Sequence, residues 1–112
     1  MSDTLTMSDV EILDQIKGEV DGNRVFLYMK GTPNAPRCGF SNQVVQILGS
    51  LDAEYGARDI LLDPRIRAVL SEWSDWPTIP QLFVDGKLVG GCDIVTEMLQ
   101  EGELQPLLAA QA

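Results

Sequence analysis

The chain of 112 residues is the size of a single domain, and a hydrophobic content of 45% is that of a folded core rather than of a disordered chain. Its longest apolar run, Val25 to Met29, falls far below the roughly 18 residues of a membrane span. Its net charge of −9 has the wrong sign for a phosphate backbone, so neither a membrane nor a nucleic acid is an expected partner.

Taken in chain order, Ser8-Asp9-Val10-Glu11 reads as a capping box. Val10, Leu13, Ile16, Lys17 and Val20 then follow helical spacing as far as Gly22-Asn23. Residues 1–7 read as an N-terminal extension. Val25 to Met29 predicts a strand buried on both faces, as at the centre of an α/β sheet. Gly31-Thr32-Pro33-Asn34-Ala35-Pro36 reads as an irregular loop that delivers Arg37 and Cys38 to a second helix. That helix carries Val44, Val45, Ile47, Leu48 and Leu51 inward. Tyr55 to Ile60 predicts a second strand, interrupted by Gly56. Asp63-Pro64 opens a third helix whose stripe is Ile66, Val69, Leu70 and Trp73.

Gln81 to Val84 and Lys87 to Gly90 flank Asp85-Gly86, a strong hairpin signal. Asp93 is placed to cap a last helix bearing Val95, Met98 and Leu99, ended by Gly102, and a short amphipathic tail follows with Leu104, Leu107 and Leu108. The order α-β-α-β-α-β-β-α predicts one α/β domain over 1–112, with a four-stranded mixed sheet flanked by helices on both faces.

Histidine is absent. That excludes a Ser-His-Asp triad, a His-assisted cysteine nucleophile and a His-containing zinc site built from this chain. From Asn23 to Leu51 there is no acidic residue, while Arg24, Lys30 and Arg37 are basic. This pattern suits a small anionic ligand near that segment; chance clustering on a solvated surface is the plainer alternative. The two cysteines, Cys38 and Cys92, cannot make a disulfide scaffold. Met1 to Met7 has neither a signal core nor transit-peptide character. A reducing compartment, the cytoplasm, is the expectation.

Cys38 opens a helix that follows a strand. The unpaired N–H groups and partial positive charge there stabilise a thiolate, and Lys30 and Arg37 add to it. The alternative, a small buried hydrophobe, fits poorly directly after Pro36-Arg37. Ser41 stands where a C-x-x-C pair has its second thiol, so any redox cycle requires an external thiol or Cys92. A Cys38–Cys92 disulfide sensor demands that the two sulfurs come within bonding reach. Ile79-Pro80 is a candidate cis peptide that would leave the Ile79 backbone free to pair with an extended peptide; a trans proline opening an edge strand is the alternative. Gly90-Gly91 permits close backbone approach. Cys92 and Asp93 then present N–H groups to a carboxylate, whether or not Asp93 also caps the helix.

Lys30-Gly31-Thr32-Pro33, Cys38-Gly39-Phe40-Ser41, Trp76-Pro77-Thr78-Ile79-Pro80 and Gly90-Gly91-Cys92-Asp93 together resemble the signatures of monothiol glutaredoxins of the Cys-Gly-Phe-Ser type. The resemblance covers nearly the whole chain in order. It implies a thioredoxin-like fold, glutathione binding, and a [2Fe–2S] cluster shared across a homodimer. It places the γ-glutamyl end of glutathione at Cys92 and Asp93, its cysteinyl unit at Ile79, and its glycyl carboxylate at Lys30 and Arg67. It also implies BolA-like proteins and apo iron–sulfur proteins as partners. A [2Fe–2S] cluster generally takes four thiolates. Cys38 from each of two chains leaves two to be supplied, by two glutathiones or, less suitably, by Cys92.

Cluster transfer is the first function expected. The second is glutathione-dependent thiol–disulfide exchange through Cys38. Against efficiency there stand the missing resolving thiol and a Thr32 to Pro36 loop longer than in dithiol relatives.

Overall fold

The computed structural model describes residues 8–109; the extension expected over 1–7 lies outside the described residues. Helix α1 (Asp9–Gly22) opens on the expected capping box: Ser8 Oγ accepts from the Glu11 N–H at 3.2 Å, and Glu11 Oε1 accepts from the Ser8 N–H at 2.9 Å. Its buried stripe is Ile12, Ile16 and Val20. The stripe is thus rotated from the expected one: Val10 is left exposed, and Leu13 only flanks the core.

Strand β1 (Val25–Met29) is buried throughout. Its alternation divides the core in two. Val25, Leu27 and Met29 pack with residues of α2, α4 and α5 on one face; Phe26 and Tyr28 pack with α1 and α3 on the other. Here α2 is Gly39–Ser50, α3 is Pro64–Ser74, α4 is Cys92–Gln100 and α5 is Leu104–Ala109. The segment expected to be irregular instead forms a two-stranded ribbon, β2 (Gly31–Thr32) with β3 (Ala35–Pro36). It is too short to leave a periodic signal, and Pro36 is tolerated because so small a ribbon is all edge.

Strand β4 (Gly56–Asp59) lies parallel to β1, followed by a 3₁₀ turn at Ile60–Leu62. Gly56 does not interrupt this strand but begins it. A Cβ at Gly56 would lie 2.7 Å from the Phe26 ring, its partner across the ladder, so glycine is what allows the pairing. Strands β5 (Gln81–Val84) and β6 (Lys87–Gly90) form the hairpin, with Asp85 at φ 53° and Gly86 at φ 80°. Two successive positive φ values match a primed turn, whose twist suits the strands. The sheet order is β4-β1-β5-β6.

Asp63 caps α3 as expected, accepting from the Arg65 N–H at 3.0 Å. Asp93 does not cap α4. Gly91 is the N-cap and Asp93 lies in the first turn, because the chain leaves β6 with Gly90 at φ 149° and enters the helix two residues earlier than the side-chain signal suggested. The expected amphipathic tail is helical; its Leu107 and Leu108 carbonyls accept from Arg24 at 2.9 and 2.6 Å. No helix of the described residues is long and apolar enough to cross a membrane.

Candidate functional site

The ends of β1 and β4, the start of α2 and the start of α4 meet at one end of the sheet. The turn out of β1 is pinned from two sides. The Lys30 N–H donates to Ser41 Oγ at 3.1 Å, and the Gly31 N–H donates to Asp59 Oδ1 at 2.9 Å. Gly31 sits at φ 88°, and a Cβ there would stand 2.5 Å from the Ala35 carbonyl oxygen and 2.8 Å from the Arg37 nitrogen. Only glycine lets the ribbon fold back so tightly. The Arg37 N–H closes the ribbon on the Lys30 carbonyl at 2.9 Å.

Cys38 is the N-cap of α2, with extended backbone and a half-buried side chain. Its sulfur makes no regular cap hydrogen bond, yet its thiol is held below the ordinary value. The Ser41 N–H facing the sulfur does most of this, opposed by burial; the Phe40 N–H, the Ser41 hydroxyl and the Lys30 charge add to it. Ser41 is wholly buried. Its hydroxyl accepts from Lys30, which leaves its proton for the Cys38 sulfur.

Beside Cys38 runs a groove of about 370 Å³. Lys30, Arg67, Ile79, Cys92 and Asp93, all expected from sequence to bind one ligand, line it together although they come from four separate stretches of chain. Cys38 is not in its wall but at its edge, two residues from Phe40, whose ring is in the wall and 61% exposed. The Ile79–Pro80 peptide is cis, and among the described residues no backbone group engages the Ile79 N–H or C=O. Lys30 and Arg67 bring positive charge to the wall, and the first-turn N–H groups of α4 offer a second place for an anion.

Cys92, at the first position of α4, is buried, and burial pushes its thiol up. The Thr96 hydroxyl, 4.0 Å from the sulfur, partly offsets this, while the Asp93 and Cys38 charges reinforce it. Both cysteines are free thiols. One therefore presents a sulfur ready to ionise, and the other contributes backbone N–H to the groove. Among the described residues no three His, Cys, Asp or Glu side chains gather to hold a metal ion.

Pro80 and Gly91 also line the groove, as do Trp76, Thr78 and Ile94, which were assigned no individual role from sequence. The signal for Trp76 was an aromatic between Asp75 and Pro77, in a stretch with no helical or strand period to explain it. Gly91 has a structural reason: a Cβ there would lie 3.1 Å from the Pro80 oxygen and 3.3 Å from Trp76 Nε1.

A four-stranded mixed sheet with helices on both faces, and a thiol at a helix entrance beside a groove rimmed by a cis proline, define a thioredoxin-like protein of the glutaredoxin class. The chain matches the glutaredoxin family model over residues 25–89. It is 53% identical over 100 residues to glutaredoxin 4 of Pasteurella multocida (strain Pm70), covering 89% of this chain and 92% of that one. Solved structures agree. Reduced poplar apo GrxS14 superposes with a TM-score of 0.72 at 47% identity, over 94% of this chain and 92% of that one. A buckwheat glutaredoxin–glutathione complex superposes with a TM-score of 0.80 at 28% identity, over 89% of each chain. The chain belongs to the glutaredoxin family, as a monothiol member of the Cys-Gly-Phe-Ser type.

Proposed function

We propose that this protein carries [2Fe–2S] clusters as cargo. Two copies hold one cluster through Cys38 of each and the thiols of two bound glutathiones, then pass it to apo-proteins, alone or in complexes with BolA-like proteins in the cytoplasm. The observation that carries the reading is the meeting of Lys30, Arg67, Ile79, Cys92 and Asp93 in one groove beside a single acidic thiol. The groove suits an extended tripeptide with a carboxylate at each end, and the buckwheat relative was solved with glutathione. The donor set suits a shared cluster, since each chain offers one ionisable, half-buried sulfur and four thiolates are generally needed. Ligands that are half small molecules exchange readily, which favours handing the cluster on over retaining it.

Anaerobic reconstitution with iron, sulfide and glutathione tests this. The expected product is a coloured dimer, by visible absorption and native mass, that Cys38→Ser does not form. The same cluster formed without glutathione would overturn the ligand assignment.

The lowered Cys38 thiol favours a second reading, thiol–disulfide exchange. The Cys38 thiolate attacks the glutathione sulfur of a glutathionylated protein, forming a Cys38–glutathione disulfide and releasing the protein thiolate. A second glutathione thiolate then attacks that glutathione sulfur, giving glutathione disulfide and restoring Cys38. Ser41 can supply no thiol to shorten this cycle. Rapid turnover of a glutathionylated peptide by metal-free protein would rank this reading first.

A further inference from the structure

Gln81 is wholly buried at the start of β5, opposite Tyr28 and followed by Leu82, Phe83 and Val84. A primary amide in such a place is costly unless bonded, and an apolar side chain of similar length would fit the strand interior without that cost. Both donors are used, on two carbonyls of one segment, while Oε1 has no partner among the described residues. Nε2 donates to the Trp76 carbonyl at 3.0 Å and to the Thr78 carbonyl at 3.2 Å.

These carbonyls belong to the stretch between α3 and β5. It has no ladder of its own, and two of its residues, Pro77 and Pro80, have no N–H to give. Yet it supplies Trp76, Thr78 and Ile79 to the groove, and the Trp76 indole Nε1 has no partner among the described residues. We propose that Gln81 is a positioning residue: its amide draws the Trp76 and Thr78 carbonyls into the protein and so holds the shape in which Ile79 grips the backbone of a bound tripeptide. This rests on the reading of the groove as a glutathione site. Gln81 touches no ligand itself and acts through the segment it ties.

The test uses the full chain and S-methylglutathione, which binds without thiol chemistry, measured by calorimetry where circular dichroism shows every variant folded. Gln81→Leu removes both donors and is expected to bind about tenfold more weakly, the loss of one ordinary hydrogen bond's worth of order. Gln81→Glu gives a second, chemically specific readout. As a carboxylate it faces two carbonyls with no donor; when protonated it regains one O–H to donate. Its affinity, relative to the wild type in the same buffer, is expected to rise as the pH is lowered. Gln81→Leu should show no such recovery. Binding by Gln81→Leu within twofold of wild type, or a Gln81→Glu deficit that does not change with pH, overturns the positioning role while leaving the glutathione reading intact. Failure of the wild type to bind overturns the glutathione reading and this inference with it.

Discussion

The chemistry of the site turns on how a few backbone N–H groups and one hydroxyl surround the Cys38 sulfur. Because the folded thiol is more acidic than an unfolded one, it contributes stability that is present above the ordinary thiol range and lost as the pH falls through the folded value. Cys38→Ser is expected to remove that slope from denaturant titrations. Ser41→Ala tests the hydroxyl alone: it keeps the Ser41 and Phe40 N–H groups, so the alkylation midpoint of Cys38 should move up yet stay below that of a free thiol. The same change strips the Lys30 N–H of its acceptor. A cost of about 1–3 kcal/mol in unfolding free energy is expected. An unmoved midpoint would show that the hydroxyl does not reach the sulfur. At this scale the sequence was informative about Cys38, where residue type and position on a helix suffice. It was silent about Gln81, because only the packed structure shows which carbonyls a buried amide meets.

Elements with strong local chemistry were legible: the capping box of α1, Asp63-Pro64 at α3, and Asp85-Gly86 in the hairpin each determine backbone geometry within a few residues. Weak or competing signals misled. Asp93 resembles an N-cap, but the glycine path out of β6 puts Gly91 there. Gly56 resembles a break until the Phe26 ring above it is known. The β2–β3 ribbon depends on Gly31, whose absent side chain is the condition for the fold-back. Gly31→Ala is therefore expected to lower the melting temperature and to raise the Cys38 alkylation midpoint, since the displaced turn carries Lys30 and its bond to Ser41. Wild-type values for both would show that the ribbon relaxes freely.

For the whole molecule, the two faces of β1 support two separate cores, and the site lies where their covering helices begin. Leu48, fully buried between α2 and the sheet, is expected to cost about 2–5 kcal/mol as Leu48→Ala, read by denaturant unfolding. A value under 1 kcal/mol would mean that face collapses around the gap. On the proposed reading, Lys30 and Arg67 in the groove are expected to make glutathione affinity salt-dependent, because raising ionic strength from about 0.01 to 1 M shortens screening from about 30 to 3 Å. Lys30→Ala and Arg67→Ala should each weaken binding and flatten that dependence; a slope unchanged in both would remove these residues from carboxylate recognition. By itself the sequence determined the order and type of the main elements, and its short motifs singled out Cys38 and the candidate residues Lys30, Arg67, Ile79, Cys92 and Asp93, because local backbone preferences and short motifs act over a few positions. Only the tertiary structure decided that Lys30, Arg67, Ile79, Cys92 and Asp93 share one groove, that Cys92 is buried and its thiol pushed up, and that the Gln81 amide meets the Trp76 and Thr78 carbonyls. Those facts depend on which surfaces the sheet brings face to face, and contact across distant stretches of chain leaves no periodic trace along it.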